Sequence, residues 1–191
     1  MLLVGVAVCD IIAVVPRIAE PGGIVYVENR FTISVGGHPC NISAALTKLG
    51  YEPGKVRVVA SIGGDMCGRL IEETLRGYGI ATAIHRVEGM SSGMNVILVV
   101  EGEDRRFHLD VGACPHLPLN HVLNVLEGAK PGLLHIAPGL LGEVDSNLST
   151  VLEKSRSLGA LNMVDVGAAK PYRGTWSFLL NTLGLDDVLH C

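Results

Sequence analysis

Near-continuous apolar runs alternate along this chain with segments whose apolar residues recur at helical spacing. Residues 2–8, 56–62, 132–137 and 160–166 are runs of the first kind, the pattern of strands buried on both faces of a covered sheet. Between them, Ile42, Ala45, Leu46 and Leu49 stripe residues 40–49. Leu70, Ile71, Thr74, Leu75 and Tyr78 follow Asp65, a natural N-cap. Val122, Leu123, Val125 and Leu126 mark a helix over 119–127, and Leu148, Val151, Leu152 and Leu158 mark one over 144–158. Gly50, Gly79 and Gly159 stand where helix C-caps belong. A further helix is predicted over 176–183, and residues 187–190 begin another strand. Strands and helices in such succession predict a parallel sheet between helices.

Two stretches break the alternation. Residues 24–27 and 30–35 read as strands joined by a turn at Glu28-Asn29. Residues 83–87 and 93–100 are also strand-like, and Gly102-Glu103-Asp104 turns the chain into a return strand over 105–111. The predicted class is therefore α/β, with a mostly parallel central sheet flanked by helices. A small antiparallel layer, drawn from about 24–35 and 83–111, is added to it.

The strand-like run 30–35 stops at Gly36-Gly37, and a helix follows with Asn41 in its first turn. Paired glycines at such a junction let a backbone approach closely and leave N–H groups bare near a helix N-terminus, where hydroxyls or anions bind. The plainer reading is a tight turn followed by a surface Asn. Asp10 closes the first apolar run. Ligands gather at the carboxyl ends of strands in open α/β sheets, although a lone Asp there also serves as a turn residue. Arg105 and Arg106 either meet an anion or are solvated charges beside the hairpin.

Composition narrows the function classes. The 191 residues are 48% hydrophobic with a net charge of −4 and no Lys/Arg run, which suits a packed core and argues against nucleic acid as a partner. No apolar run is long enough to span a membrane. The apolar N-terminus lacks a basic region and continues past Asp10 into more Val and Ile, so a buried first strand is expected rather than a leader. Five cysteines, Cys9, Cys40, Cys67, Cys114 and Cys191, are scattered without CxxC spacing, as reduced thiols of a cytoplasmic protein would be. The histidines show no metal-ligand grouping. A nicotinamide-binding fold is disfavoured, because the first run leads to Asp10 and not to a GxGxxG turn.

Taken together, these elements resemble the ribokinase (PfkB) carbohydrate-kinase family along nearly the whole chain. The resemblance is carried by Asp10 after a hydrophobic strand, Gly36-Gly37-x-x-x-Asn41, and the helix closing at Leu49-Gly50. It continues through Ile62-Gly63-x-Asp65-x-x-Gly68, Tyr78-Gly79-Ile80, and Ser92-Gly93 in place of the family's frequent Thr-Gly. Gly102-Glu103-Asp104-Arg105-Arg106-Phe107 is similar to its "GERRF" hairpin, and Gly112-Ala113 follows. The resemblance implies a β lid over the substrate, which accounts for the two extra sheet segments. It also implies transfer of the γ-phosphoryl group of ATP, with Mg²⁺, to a hydroxyl of a sugar, nucleoside or related small alcohol. Asp10, the Gly36-Gly37 backbone and Asn41 are then the residues holding substrate hydroxyls. Pairing of lid edges between two subunits would give a homodimer by strand addition.

The departures matter as much. The family's catalytic aspartate lies in Gly-Ala-Gly-Asp, and its metal- and phosphate-linked motif is Asn-x-x-Glu. Neither occurs in these 191 residues. No catalytic, nucleotide-binding or metal-binding residue is therefore assigned here. The expectation is that residues 1–191 are the N-terminal, substrate-binding and lid part of one ribokinase-like domain, inactive by themselves. The alternative is a non-catalytic sugar-binding or dimerising module. Cys114 stands where the family often has Asn, and Pro138-Gly139 where some ribose-specific members carry Glu, so the resemblance does not name the sugar.

Overall fold

The computed structural model describes residues 1–165 and the short strand 188–190. In chain order the elements are β1 (Leu2–Val4), β2 (Val8–Val15), β3 (Phe31–Gly36), α1 (His38–Lys48), β4 (Arg57–Gly63), α2 (Met66–Gly77) and β5 (Ala81–Val87). There follow β6 (Gly93–Val100), β7 (Arg106–Asp110), α3 (Leu119–Ala129), β8 (Leu133–Ile136), α4 (Glu143–Ser146), α5 (Leu148–Ser157), β9 (Leu161–Asp165) and β10 (Val188–His190). Single 3₁₀ turns at Pro53–Lys55 and Cys114–His116 complete the set.

The main sheet has the order β10-β9-β8-β1-β4-β5, and every neighbouring pair is parallel. Alternate side chains of its strands feed two separate cores. On one face Leu2, Val4, Leu134, Ile136 and Val164 pack with Val122 and Leu126 of α3, Val144 of α4, and Leu148, Val151 and Leu152 of α5. On the other, Leu3, Val58, Ala60 and Ile62 pack with Cys40 of α1 and with Ile71 and Leu75 of α2. Coverage on both faces is why these strands read as unbroken apolar runs. Each fully buried Leu or Ile contributes about 1.5–3 kcal/mol of transfer free energy.

The second sheet has the order β3-β2-β6-β7. It is mixed rather than purely antiparallel: β2 runs antiparallel to β3 but parallel to β6, which turns back into β7. The difference arises because its central strand comes from the first apolar run. Residues 2–8 are not one strand. β1 ends at Val4, the chain crosses over at Gly5-Val6-Ala7, and β2 begins at Val8 in the other sheet. Asp10 therefore sits inside a strand of the second sheet, not at the end of a strand of the main one. Apolar composition reports burial, and Val8 and Cys9 are buried in the second sheet as Leu2, Leu3 and Val4 are in the first.

Other expectations are also revised. Residues 24–27 are not a strand; the segment pairs with no strand among the described residues, and Ile24 and Tyr26 are exposed. Residues 83–87 belong to β5, the edge of the main sheet, in register with β4. The helix expected over 144–158 is two, α4 and α5, broken at Asn147. The helix expected over 176–183 lies outside the described residues. The strand expected from 187 is β10.

Candidate functional site

Asp10 occupies the middle of the second sheet. In register, it faces Ser34 of β3 on one side and Asn95 of β6 on the other, and Asn95 in turn faces Leu109 of β7. Residues directly opposed across strands share a face, so Ser34, Asp10 and Asn95 form a polar row. Asn95 Nδ2 donates to Asp10 Oδ1 at 3.3 Å. Asn95 is 8% exposed, and its Oδ1 has no hydrogen-bond partner among the described residues. Burial pushes the Asp10 carboxyl above the ordinary carboxylate range, while the bond from Asn95 pulls it back.

The paired glycines fit around this carboxylate. A Cβ on Gly36 would lie 1.9 Å from Asp10 Oδ2, so only glycine leaves the carboxylate its place. Gly37, the N-cap of α1, has φ 92°, and a Cβ there would meet the Val6 carbonyl oxygen at 2.0 Å. Gly37 thus lets the helix start against the crossover that leads into Asp10. No side chain caps this helix.

Asp10, Gly36 and Gly37 are therefore brought together. Asn41 is exposed on α1 and lines two grooves along that helix. One, of about 430 Å³, also touches His38, His135 and Asp165. The other, of about 370 Å³, touches Ser34, Thr74 and Tyr78. Neither is lined by Asp10. Asn95 was missed by sequence reasoning, although a signal existed: it is the one amide in the apolar run from Met94 to Val100.

The Ile62-Gly63-x-Asp65-x-x-Gly68 stretch has a different task. Asp65 Oδ1 accepts from Gly68 N at 2.8 Å and from Ser92 Oγ at 2.6 Å, and Oδ2 accepts from Ser92 N at 2.9 Å. Ser92 Oγ in turn accepts from Gly63 N at 3.0 Å. Burial pushes the Asp65 carboxyl up, but the Ser92 hydroxyl and the Gly68 and Ser92 N–H groups outweigh it and hold it below the ordinary range. This knot fastens the start of β6, three residues before Asn95, to the start of α2. Arg105 lies over the Phe107 ring and Arg106 pairs with Glu103, so the hairpin arginines are engaged locally. Among the described residues no group of His, Cys, Asp and Glu side chains is placed to hold a metal ion, and no helix is long and apolar enough to cross a membrane.

Residues 1–151 match the description of the pfkB family carbohydrate kinases. The chain belongs to that family. Its fold is found in solved relatives. Ribokinase from Giardia lamblia superposes with a TM-score of 0.76 at 21% identity, over 98% of this chain and 56% of that one. Adenosine kinase from Anopheles gambiae, in complex with P1,P4-di(adenosine-5) tetraphosphate, gives 0.74 at 18%, over 95% and 60%. Arabidopsis thaliana ribokinase, complexed with ribose and ATP, gives 0.66 at 22%, over 87% and 53%. The chain thus spans little more than half the length of these kinases. At such identities the likeness speaks for the fold alone.

Proposed function

We propose that this pfkB-family chain supplies the substrate-hydroxyl site of an ATP-dependent kinase acting on a sugar, nucleoside or related small alcohol. The observation that supports this most is the Asp10–Asn95 pair. It offers a half-buried carboxylate and a buried, unpartnered carbonyl oxygen side by side, both acceptors. Hydroxyls are donors to such acceptors, and a carboxylate accepts from two vicinal ones at once. Gly36 gives the carboxylate room and Gly37 adds backbone beside it, while Asn41 faces the neighbouring grooves along α1. In this reading residues 1–191 form the first part of one ribokinase-like domain, with the second sheet as its lid.

Neither Gly-Ala-Gly-Asp nor Asn-x-x-Glu, the motifs to which the family resemblance assigns the catalytic base and the metal and phosphate contacts, occurs in this chain. Transfer to the hydroxyl is therefore assigned to the kinase as a whole, and binding and orientation of the acceptor to this part. A second copy pairing through the open edge of β3 or β7 would cover apolar side chains the second sheet leaves exposed, among them Phe31 and Phe107. Sedimentation across a concentration series checks this.

The direct test is calorimetry of the chain against a panel of pentoses, hexoses and nucleosides. One class should bind, and Asn95→Ala should weaken it by about 1–3 kcal/mol, the cost of leaving a hydroxyl and Asp10 unpaired. Binding that is indifferent to both Asp10→Asn and Asn95→Ala would overturn the assignment.

A further inference from the structure

The face of the second sheet opposite Asp10 carries a feature that hydroxyl binding does not use. Side chains alternate along β2, so Cys9 points away from Asp10, on the same face as its register partners Val35 and Met94. This face looks onto α2 across a cavity of about 520 Å³, lined among others by Cys9, Ile11, Met66, Cys67 and Met94. Cys9 on β2 and Cys67 on α2 line this cavity together, and burial, with the neighbouring Cys67 thiol adding to it, pushes the Cys9 thiol up to about 12. Cys9 therefore stays protonated at neutral pH. Both cysteines are free; Cys9 is buried and Cys67 half-exposed in the first turn of α2. Cys9, Cys40 and Cys114 are each at most 3% exposed, so among the described residues Cys67 is the cysteine that a solvent oxidant reaches first.

We propose that Cys67 and Cys9 are a peroxide-oxidisable thiol pair whose disulfide clips the second sheet to α2. The partly exposed Cys67 attacks one oxygen of hydrogen peroxide through its sulfur. The O–O bond breaks, the sulfur is oxidised to a sulfenic acid and one water leaves. The Cys9 sulfur then displaces the hydroxyl group from the Cys67 sulfenic acid. The S–S bond forms, and the displaced hydroxyl departs with the Cys9 proton as a second water. A dithiol reductant reverses the bridge by thiol–disulfide exchange. Because Cys9 adjoins Asp10, the clip fixes the strand that carries the carboxylate. Any consequence for sugar affinity rests on the proposed function; the clip does not.

The test treats the 191-residue chain with hydrogen peroxide and maps it by mass spectrometry without reduction. The expected product has lost two hydrogen atoms, yields a peptide pair joined through Cys9 and Cys67, and regains its mass with dithiothreitol. Hydrogen exchange should slow in β2 and in the first turn of α2. Cys67→Ala should abolish the bridge. Cys9→Ala should leave a Cys67 sulfenic acid that dimedone traps. A Cys67 that gains two oxygen atoms while Cys9 stays a free thiol would overturn the proposal, as would bridging through Cys191 or faster exchange in the oxidised form. None of these readouts depends on sugar binding, so failure of the sugar reading is separately visible.

Discussion

The two sheets of this protein are built from similar residues and treat them differently. In the main sheet, Leu2, Leu3, Val4, Val58, Val59 and Ile62 are fully buried, because helices cover both faces. In the second sheet Phe31 and Ile33 are each 64% exposed and Phe107 is 55% exposed, while the polar Asn95 is buried beside Asp10. The main sheet thus carries the stability of the fold. The second sheet instead desolvates Asn95 and leaves Phe31, Ile33 and Phe107 in water, both of which oppose stability. It joins the main body at Gly5-Val6-Ala7, Gly36-Gly37, Ser92-Gly93 and Val111-Gly112, and Val8, Cys9, Ala13, Ile97 and Val100 are its buried apolar residues.

The largest effect that tests this contrast is a pair of truncations. Leu126→Ala, in the core between α3 and the main sheet, should cost about 2–5 kcal/mol in urea unfolding. Phe107→Ala should cost about 1 kcal/mol or less, since over half of its surface is already wet. Equal losses would break the distinction between the sheets.

The paired glycines sharpen it. Gly37→Ala sets a Cβ against the Val6 backbone at a positive φ, which nothing nearby can relieve, and should cost about 1–3 kcal/mol in the same assay. Gly36→Ala meets only the end of the Asp10 side chain, which can swing away. Its stability should change by less than about 1 kcal/mol, while sugar affinity falls with the displaced carboxylate. If both variants lose stability alike, Gly36 belongs to the fold and not to the site.

The smallest effect concerns Asp10 itself. Its folded-state carboxyl lies above the ordinary value, so the folded chain binds that proton more tightly than the unfolded chain does. Ionised Asp10 therefore opposes folding at neutral pH, and this opposition fades as pH falls through the folded-state value and is gone below the unfolded one, about 3.9. Asp10→Asn should raise Tm slightly at pH 7, lose that advantage in acid, and weaken sugar binding. A lower Tm at pH 7 would mean that the carboxylate is stabilising where it stands.

The second sheet was also the harder part to read. The buried strands β4, β8 and β9 and the helices α1, α2 and α3 were legible because both a face-independent apolar run and a helical stripe are local patterns. The hairpin of β6 and β7 was legible through its Gly102-Glu103-Asp104 turn. The crossover at Gly5-Val6-Ala7 was not, since a run of apolar residues looks the same whether it stays in one sheet or passes into another. Of the candidate site, Asp10, Gly36 and Gly37 were legible as a motif and the structure brings them together, Asn41 of the same motif lines other grooves, and Asn95 was not singled out, because its partner is 85 positions away.

By itself the sequence determined the class of the fold and the order of most of its strands and helices, through periodicities that act over a few residues. It also determined the family motifs, which are short stretches of fixed residue type. Only the tertiary structure decided which sheet each strand joins, that β2 lies parallel to β6, and that Asp10 meets Asn95 while Cys9 meets Cys67. These are contacts between segments far apart in the chain. Register across strands and the alternation of faces along β2 settle them, and a one-residue slip would exchange the two sets of partners.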